Sequence, residues 1–188
     1  GYDVQTFPSA TLQNPPFDRI IFGEVPHLRT ETQGATPFDR DTRLTADFLQ
    51  YLDQKPDKPF FAFLFYDLLH AISIPAPHRH KFEPSWEYAN YMALNNEMDA
   101  TPFFNLYRNC GWYVDSLVGS IVGELEHKGL LDNSILVITG DHSQEFNENK
   151  KNYWGHGSNY SDAQIHVPFI YYEPGQAPRN YHHTTTHY

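Results

Sequence analysis

Cysteine is almost missing: Cys110 stands alone among 188 residues, so no disulfide can form within the chain. Long apolar runs are missing as well. None approaches the roughly 20 residues needed to span a bilayer, and no stretch has the form of a signal peptide. Basic residues are scarce, with 13 Lys and Arg against 23 Asp and Glu. The net charge of -10 argues against broad nucleic-acid binding, because neutralising phosphates needs a basic face. Neither a G-x-S-x-G nucleophile elbow nor a P-loop occurs. An initiator Met is absent too. The chain opens on Gly1-Tyr2 and closes on Thr184-Thr-Thr-His187-Tyr188 with no terminal element, and it reads as a piece of a longer protein.

What is present is the material of one globular core. Apolar residues make up an ordinary 40%, and aromatics reach 16%, with 13 Tyr and 14 Phe. The 11 histidines add positive charge only at acidic pH. Residues 2–7 suit a short strand. Residues 8–40 hold five prolines and few periodic apolar positions, which predicts a long loop with a functional or covering role. Leu44, Phe48, Leu49 and Leu52 have helical spacing within 41–54, with Asp41 as the expected N-cap. Phe60–Phe65 reads as a buried strand, and 86–95 as a short helix. Thr101-Pro102 opens the clearest helix. Its apolar face of Phe103, Leu106, Tyr107, Cys110, Val114, Leu117, Val118, Ile121 and Leu125 continues to a C-cap at Gly129. Cys110 falls on that face and reads as a buried structural thiol. Ile135–Ile138 and Val167–Tyr172 complete the strands. Strands alternating with helices predict an α/β fold with a parallel sheet.

The chemistry concentrates where the Ile135–Ile138 strand ends. Gly140 permits a turn, and Asp141 and His142 follow it. Open α/β sheets place ligand sites at the carboxyl ends of their strands. Carboxylate and imidazole are ligands for zinc or manganese, so this pair predicts a metal or phosphate site. His156 lies between Gly155 and Gly157, which let the backbone approach while the imidazole projects. It suits a second metal ligand or a donor to an anionic substrate oxygen. Glu145 has two readings: an outer partner that orients His142, or a solvated acid at a helix start. His70 follows the Phe60–Phe65 strand onto the same rim and suits a phosphate or sulfate contact. His78 and His80 read as a solvated basic turn with Arg79 and Lys81, and His166 as structural within the Val167 strand. His182, His183 and His187 crowd the terminus, with His187 the one candidate for a site role. Asp115 suits a helix-to-loop hydrogen bond. No nucleophile is evident, and Cys110 lacks the Pro and Arg context of a cysteine converted to formylglycine.

These motifs resemble a known superfamily. Ile138-Thr-Gly-Asp141-His142-x-x-Glu145-Phe, Gly155-His156-Gly157 and Gln164-x-x-Val167-Pro168 look like the C-terminal motifs of the alkaline phosphatase/sulfatase superfamily. Tyr113-Val-Asp115 before Gly129-Leu-Leu-Asp-Asn133 is similar to the helix and turn that precede the metal strand there. Phe60-Phe-Ala-Phe-Leu to His70 resembles the lipoteichoic-acid-synthase and phosphoethanolamine-transferase branch. The opening residues, with Pro16 and Arg19, resemble membrane-anchored YejM-type sulfatase-like proteins of Gram-negative inner membranes. The resemblance implies a parallel-sheet sandwich with helices on both faces, and residues 1–188 as the C-terminal portion of one catalytic domain lacking its N-terminal segment. It implies one divalent metal ion (zinc, manganese, magnesium or calcium) on Asp141 and His142. His70 and His156 would then contact the substrate.

The implied activity is metal-dependent hydrolysis of sulfate or phosphate esters, or phospho-group transfer on lipid headgroups. The alternative is a non-catalytic periplasmic domain that binds phospholipid or lipopolysaccharide and regulates the envelope. In such families the nucleophile and a further carboxylate ligand lie on an N-terminal segment. That would leave both before Gly1, the isolated piece inactive, and the membrane anchor outside this chain. Ser143 departs from the glycine usual after Asp-His. No Asp-x-x-x-His pair can be placed for a second ion, which favours a single-metal site.

Overall fold

A proline-led capping box sets the first long helix. In the computed structural model, which describes residues 1–54 and 58–182, α2 spans Pro37–Asp53 and follows a four-residue helix α1, Phe17–Ile20. Thr36 caps α2. Its hydroxyl accepts the Asp39 N–H at 3.2 Å, and the Asp39 carboxylate accepts the Thr36 N–H at 3.0 Å. The helix therefore starts five residues earlier than an N-cap at Asp41 suggested, and Asp41 is wholly buried inside it. Burial raises the Asp41 pKa, although Ser9 and the N–H groups of Asp67 and Leu68 pull it down. The segment before α2 is a long connection, as its prolines predict, but a tied one. Leu12 is fully buried, its N–H donates to the Thr30 carbonyl, and Thr6 Oγ1 donates to the Arg29 carbonyl.

Leu44, Phe48 and Leu52 recur every four residues and form the buried stripe of α2. They pack with Phe7, Ile121 and Leu125 against a parallel pair of strands, β1 (Asp3–Pro8) and β2 (Phe60–Phe65). The register runs from Asp3↔Phe60 to Pro8↔Phe65. Parallel pairing needs a crossover, and the α1–α2 segment supplies it. A second core gathers Leu68, Ile72, Ile74, Phe103, Leu106, Cys110 and Phe146.

Helix α4, Thr101–His127, joins the two cores; α3 (Leu68–Ala71) is a single turn before it. At 27 residues α4 is about 40 Å long. Phe103, Leu106 and Cys110 near its start enter one core, and Ile121 and Leu125 near its end enter the other. Gly129 ends it with φ +66°. The Leu130 N–H reaches the Leu125 carbonyl and the Gly129 N–H the Glu126 carbonyl, the pair of bonds that defines a Schellman cap. Burial lifts the Cys110 thiol to about 12, so it is an inert core group.

The same helix buries two asparagines. Asn109 donates to the carbonyls of Arg79 and Phe82, both at 3.1 Å, and accepts the Phe82 N–H at 2.9 Å. Asn105 donates to the Pro84 carbonyl. They fasten the 79–84 loop to the helix as a neighbouring strand would. Asn109→Leu should strand these backbone groups and destabilise the chain by roughly 1–3 kcal/mol. Urea unfolding would show it; a midpoint equal to wild type would refute it.

Two further strand pairs are antiparallel. β3 (Leu136–Thr139) pairs with β6 (Phe169–Tyr172), and β4 (Glu145–Phe146) with β5 (Trp154–Gly155); α5 (Asp162–Ile165) lies between β5 and β6. Only β1–β2 is parallel among the described residues. Among the described residues the strands form three two-stranded sheets in an α/β fold, and the expected parallel-sheet sandwich is not seen there. β3 is also not the buried strand its apolar run predicted. Its one hydrogen-bonded neighbour is β6, and Val137, Ile138, Phe169, Ile170 and Tyr171 are exposed. Residues 86–95 hold one turn of 3₁₀-helix, Tyr91–Ala93, rather than an α-helix, for want of a repeating apolar face. No helix among the described residues is long and apolar enough to cross a membrane.

Candidate metal and oxyanion site

The β4–β5 hairpin explains how distant residues meet. Its register pairs Glu145 with Gly155 and Phe146 with Trp154, so the next positions outward are Gln144 and His156. His156 Nδ1 lies 2.8 Å from Gln144 Oε1. Gly155 and Gly157, at φ +85° and +78°, flank it; these are conformations that L side chains rarely adopt. The hairpin turn uses left-handed Asn147 and Asn152, among the residues that tolerate that region best.

The His142 and His156 rings stack with centroids 4.1 Å apart. His70, carried by α3 just beyond β2, brings its ring to 5.0 Å from His156 and 6.2 Å from His142. Three imidazoles from three separate segments therefore share one site. Burial, then the His142 and His70 imidazoles, holds the His156 pKa below the ordinary histidine value, with Asp141 opposing. His156 is therefore neutral near pH 7 and keeps one donor and one acceptor nitrogen.

Asp141 sits beside this cluster. Its Oδ1 accepts the His142 N–H at 3.1 Å and lies 3.9 Å from His142 Nε2. His142 Nδ1 faces the Ser143 carbonyl at 3.0 Å, so Nδ1 is the donor there and Nε2 is the nitrogen left to face an ion. A histidine ligand braced on a carbonyl through its other nitrogen is common at metal centres. The donor chemistry fits a divalent ion, but only in part. Among the described residues no group of three or more His, Cys, Asp or Glu is arranged to hold one. A tetrahedral zinc takes four ligands, and Asp141 with His142 supplies two.

Glu145 does neither thing expected of it. It does not contact His142, and it is neither solvated nor at a helix start. It is fully buried on β4. Its carboxylate accepts from Gln164 Nε2 at 2.7 Å, Asn159 Nδ2 at 3.0 Å, Ser161 Oγ at 3.0 Å and Asn149 Nδ2 at 3.1 Å. Burial raises its pKa, but these four bonds outweigh burial and hold it below the usual glutamate value. The Gln164 carbonyl in turn accepts the Ser143 N–H at 2.8 Å. Glu145 thus fixes the backbone under His142 through Gln164, not the His142 ring.

Other predicted residues fall away from the site. His78 is half-buried rather than fully solvated: it packs between Phe38 and Tyr113, at 5.1 and 5.0 Å. His166 caps α5 and is exposed rather than entering β6. Asp115 is exposed, with no hydrogen bond to a loop among the described residues. His182 is exposed, and His183 and His187 lie outside the described residues. Sequence reasoning missed the roles of Gln144 and Asn159, which have no signature of their own, and quoted Gln164 only as part of a motif. It also missed Asp67, which a turn places near His70.

This fold, with an Asp-His pair beside an imidazole cluster, is that of the alkaline phosphatase/sulfatase superfamily. The sulfatase family model matches residues 2–188, and the chain belongs to that family. No curated protein matches it. Among solved structures it is similar to the C-terminal periplasmic domain of EcEptC from Escherichia coli, crystallised in complex with Zn. That match has 18% identity and a TM-score of 0.65, over 93% of this chain and 50% of the other. It is also similar to the phosphonate monoester hydrolase of Agrobacterium radiobacter, with 20% identity and a TM-score of 0.59, over 77% of this chain and 35% of that one. The chain therefore spans half or less of the length of these neighbours.

Proposed function

We propose that residues 1–188 carry the metal-ligand and oxyanion-binding part of an enzyme that hydrolyses sulfate or phosphate esters or transfers a phospho group to or from a lipid headgroup. The observation that carries this reading is the meeting of His70, His142 and His156 beside Asp141, with ring centroids 4.1–6.2 Å apart. Asp141 and His142 would hold the metal, which when bound would polarise the ester and activate a nucleophile. His70 would donate to the non-bridging oxygens and offset the charge that builds there, while His156, its Nδ1–H held by Gln144 Oε1, presents Nε2 to the substrate as a proton acceptor. Gln144 fixes which His156 nitrogen faces the substrate. Cys110 is excluded as nucleophile by burial, and we assign the nucleophile and the remaining ligands to sequence outside these residues. The 188-residue piece alone is then inactive and a weak metal binder. By the sequence resemblance the parent is a YejM-type protein of the inner membrane, anchored by a segment outside this chain, with this domain in the periplasm.

The test pairs metal analysis with turnover of aryl phosphate and aryl sulfate esters by the full-length parent. Asp141→Ala should lose bound metal, and His156→Ala should lower kcat by about 10²–10³. Equal metal in wild type and Asp141→Ala would sink the ligand assignment. One observation favours a second reading, a regulatory domain that binds phosphorylated lipid without turning it over: the donor set among the described residues is incomplete. That reading expects no turnover and unchanged headgroup binding in Asp141→Ala.

A further inference from the structure

The long connection between β1 and α2 encloses an open cavity of about 440 Å³, within the size range of small-molecule sites. It lies just past the last residue of β1, and ligand sites of α/β folds lie outside the carboxyl ends of strands. Ser9, Thr11, Glu31, Thr32, Gln33 and Arg40 line it. Its shape is set by the protein alone. The Leu12 N–H donates to the Thr30 carbonyl, and Arg40 Nε donates to the Ser9 carbonyl at 2.8 Å. A Cβ at Gly34 would come within 2.8 Å of Arg40 Cγ, so the loop lies pressed against the first turn of α2.

The charges of the wall decide which class of ligand it takes. Arg40 Nη2 is paired with Asp67 Oδ2 at 3.0 Å, and the nearby Arg29 with Asp47 at 2.8 Å. Glu31 forms no ion pair among the described residues, its Oε1 accepting from Gln33 Nε2 at 3.0 Å. An anion would therefore meet an unneutralised carboxylate, and a cation would meet the Arg40 guanidinium. An apolar group would find little to pack on, because no aromatic, Val, Leu, Ile or Met side chain lines the cavity among the described residues. Hydroxyl groups fit. Arg40 carries more N–H donors than its bonds to Ser9 and Asp67 use. Thr11 Oγ1 accepts the Gln13 N–H at 3.2 Å, which leaves its own proton to donate. Glu31 Oε2 and Gln33 Oε1 remain as acceptors among the described residues. Donors and acceptors side by side match a vicinal diol, each hydroxyl of which both gives and takes a hydrogen bond.

Arg40 also links this cavity to the histidines. The Asp67 carboxylate that takes Arg40 on Oδ2 has its Oδ1 3.6 Å from His70 Nδ1. One carboxylate thus stands between the cavity wall and the imidazole cluster, and the two are neighbours on one rim. We infer that the cavity is a subsite for the alcohol part of the ester, and that this alcohol carries neighbouring hydroxyls, as a sugar or a glycerol headgroup does. Its place as a subsite rests on the reading of the histidines as substrate contacts; its preference for hydroxyls does not.

The test measures binding to the full-length parent with probes whose carbon–phosphorus bond resists hydrolysis. A dihydroxybutylphosphonate with vicinal hydroxyls should bind about tenfold tighter than butylphosphonate, as one hydrogen bond to a charged group supplies. The double variant Glu31→Ala, Gln33→Ala changes two exposed side chains and should erase that difference while butylphosphonate binding stays the same. Glu31→Gln, which keeps an acceptor, should retain part of the difference. A glucose-derived phosphonate in place of the diol separates the two sources by which of them binds tighter. Equal binding of diol and butyl probes in wild type overturns the inference. So does a difference that survives the double variant, since the hydroxyls are then held elsewhere. An aminoalkylphosphonate that binds tighter than the diol and loses this in Glu31→Gln overturns it as well, making the cavity a cation site. If the diol advantage is lost in the double variant as expected, yet His70→Ala weakens neither phosphonate, the cavity stands as a diol site and it is the assignment of His70 to substrate that fails.

Discussion

Phe103→Ala should destabilise the chain by about 3–5 kcal/mol, a large share of the roughly 5–15 kcal/mol that holds a typical domain folded. Phe103 is fully buried at the centre of the aromatic core. Trp86 stacks on it at 5.0 Å, and Phe146 and Tyr91 meet it edge-on at 5.3 and 5.9 Å. Phe146 belongs to β4 and Trp154, 6.2 Å away, to β5, so the cavity would open directly beneath the hairpin that carries His156. Denaturant unfolding measures the loss, and the His142 and His156 imidazole resonances should broaden with it. A cost near that of a surface substitution, within about 0.5 kcal/mol, would show that this packing is not what supports the site.

The second large effect belongs to Glu145. Glu145→Ala should cost roughly 3–5 kcal/mol, because the donors of Asn149, Asn159, Ser161 and Gln164 lose a buried charged acceptor. The pH dependence identifies the charge as the cause. Its folded pKa is depressed, so the stability it contributes is fully present above the ordinary glutamate value and is lost as pH falls through the lower folded value. Glu145→Gln imitates the protonated acid. Its deficit against wild type should be largest at neutral pH and should shrink on acidification. Asp41 works in the opposite sense. Its folded pKa is raised, so its ionisation disfavours folding as pH climbs from the ordinary aspartate value to the raised one. A deficit for Glu145→Gln that stays constant from neutral to acidic pH would show that the carboxylate's charge is not what the four donors hold.

Periodicity made the long helices legible. The apolar face of α4 and its glycine stop could be read directly, since Phe103, Leu106, Cys110, Ile121 and Leu125 are buried and Gly129 is left-handed. The start of α2 was misread because Asp41 is a good capping residue in isolation, while Thr36 and Asp39 cap each other. Strand burial and direction were misread for a different reason. An apolar run says that a strand prefers cover, not that cover is present, and pairing direction is set by topology. At the site, residue type and glycine context drew attention to Asp141, His142, His156 and His70. Sequence did not reveal that Gln144 faces His156 or that Arg40 reaches Asp67, because these links join segments by hydrogen bonds with no spacing rule. Glu145 was noticed for its charge and given the wrong neighbour.

The exposed β3–β6 pair gives the two sides of the site unequal stiffness. His156 stands on a hairpin clamped from below by aromatic packing and from the side by a saturated carboxylate. Asp141 stands two residues past a strand whose four register pairs all run to one neighbour, with most of its apolar side chains in water. Local opening is cheapest where backbone bonds are exposed and little apolar surface is buried. The Asp141–His142 side is thus the compliant jaw and the His156 side the anvil. On the proposed function, a group bridging them would be ordered first at His156 and would then draw Asp141 inward.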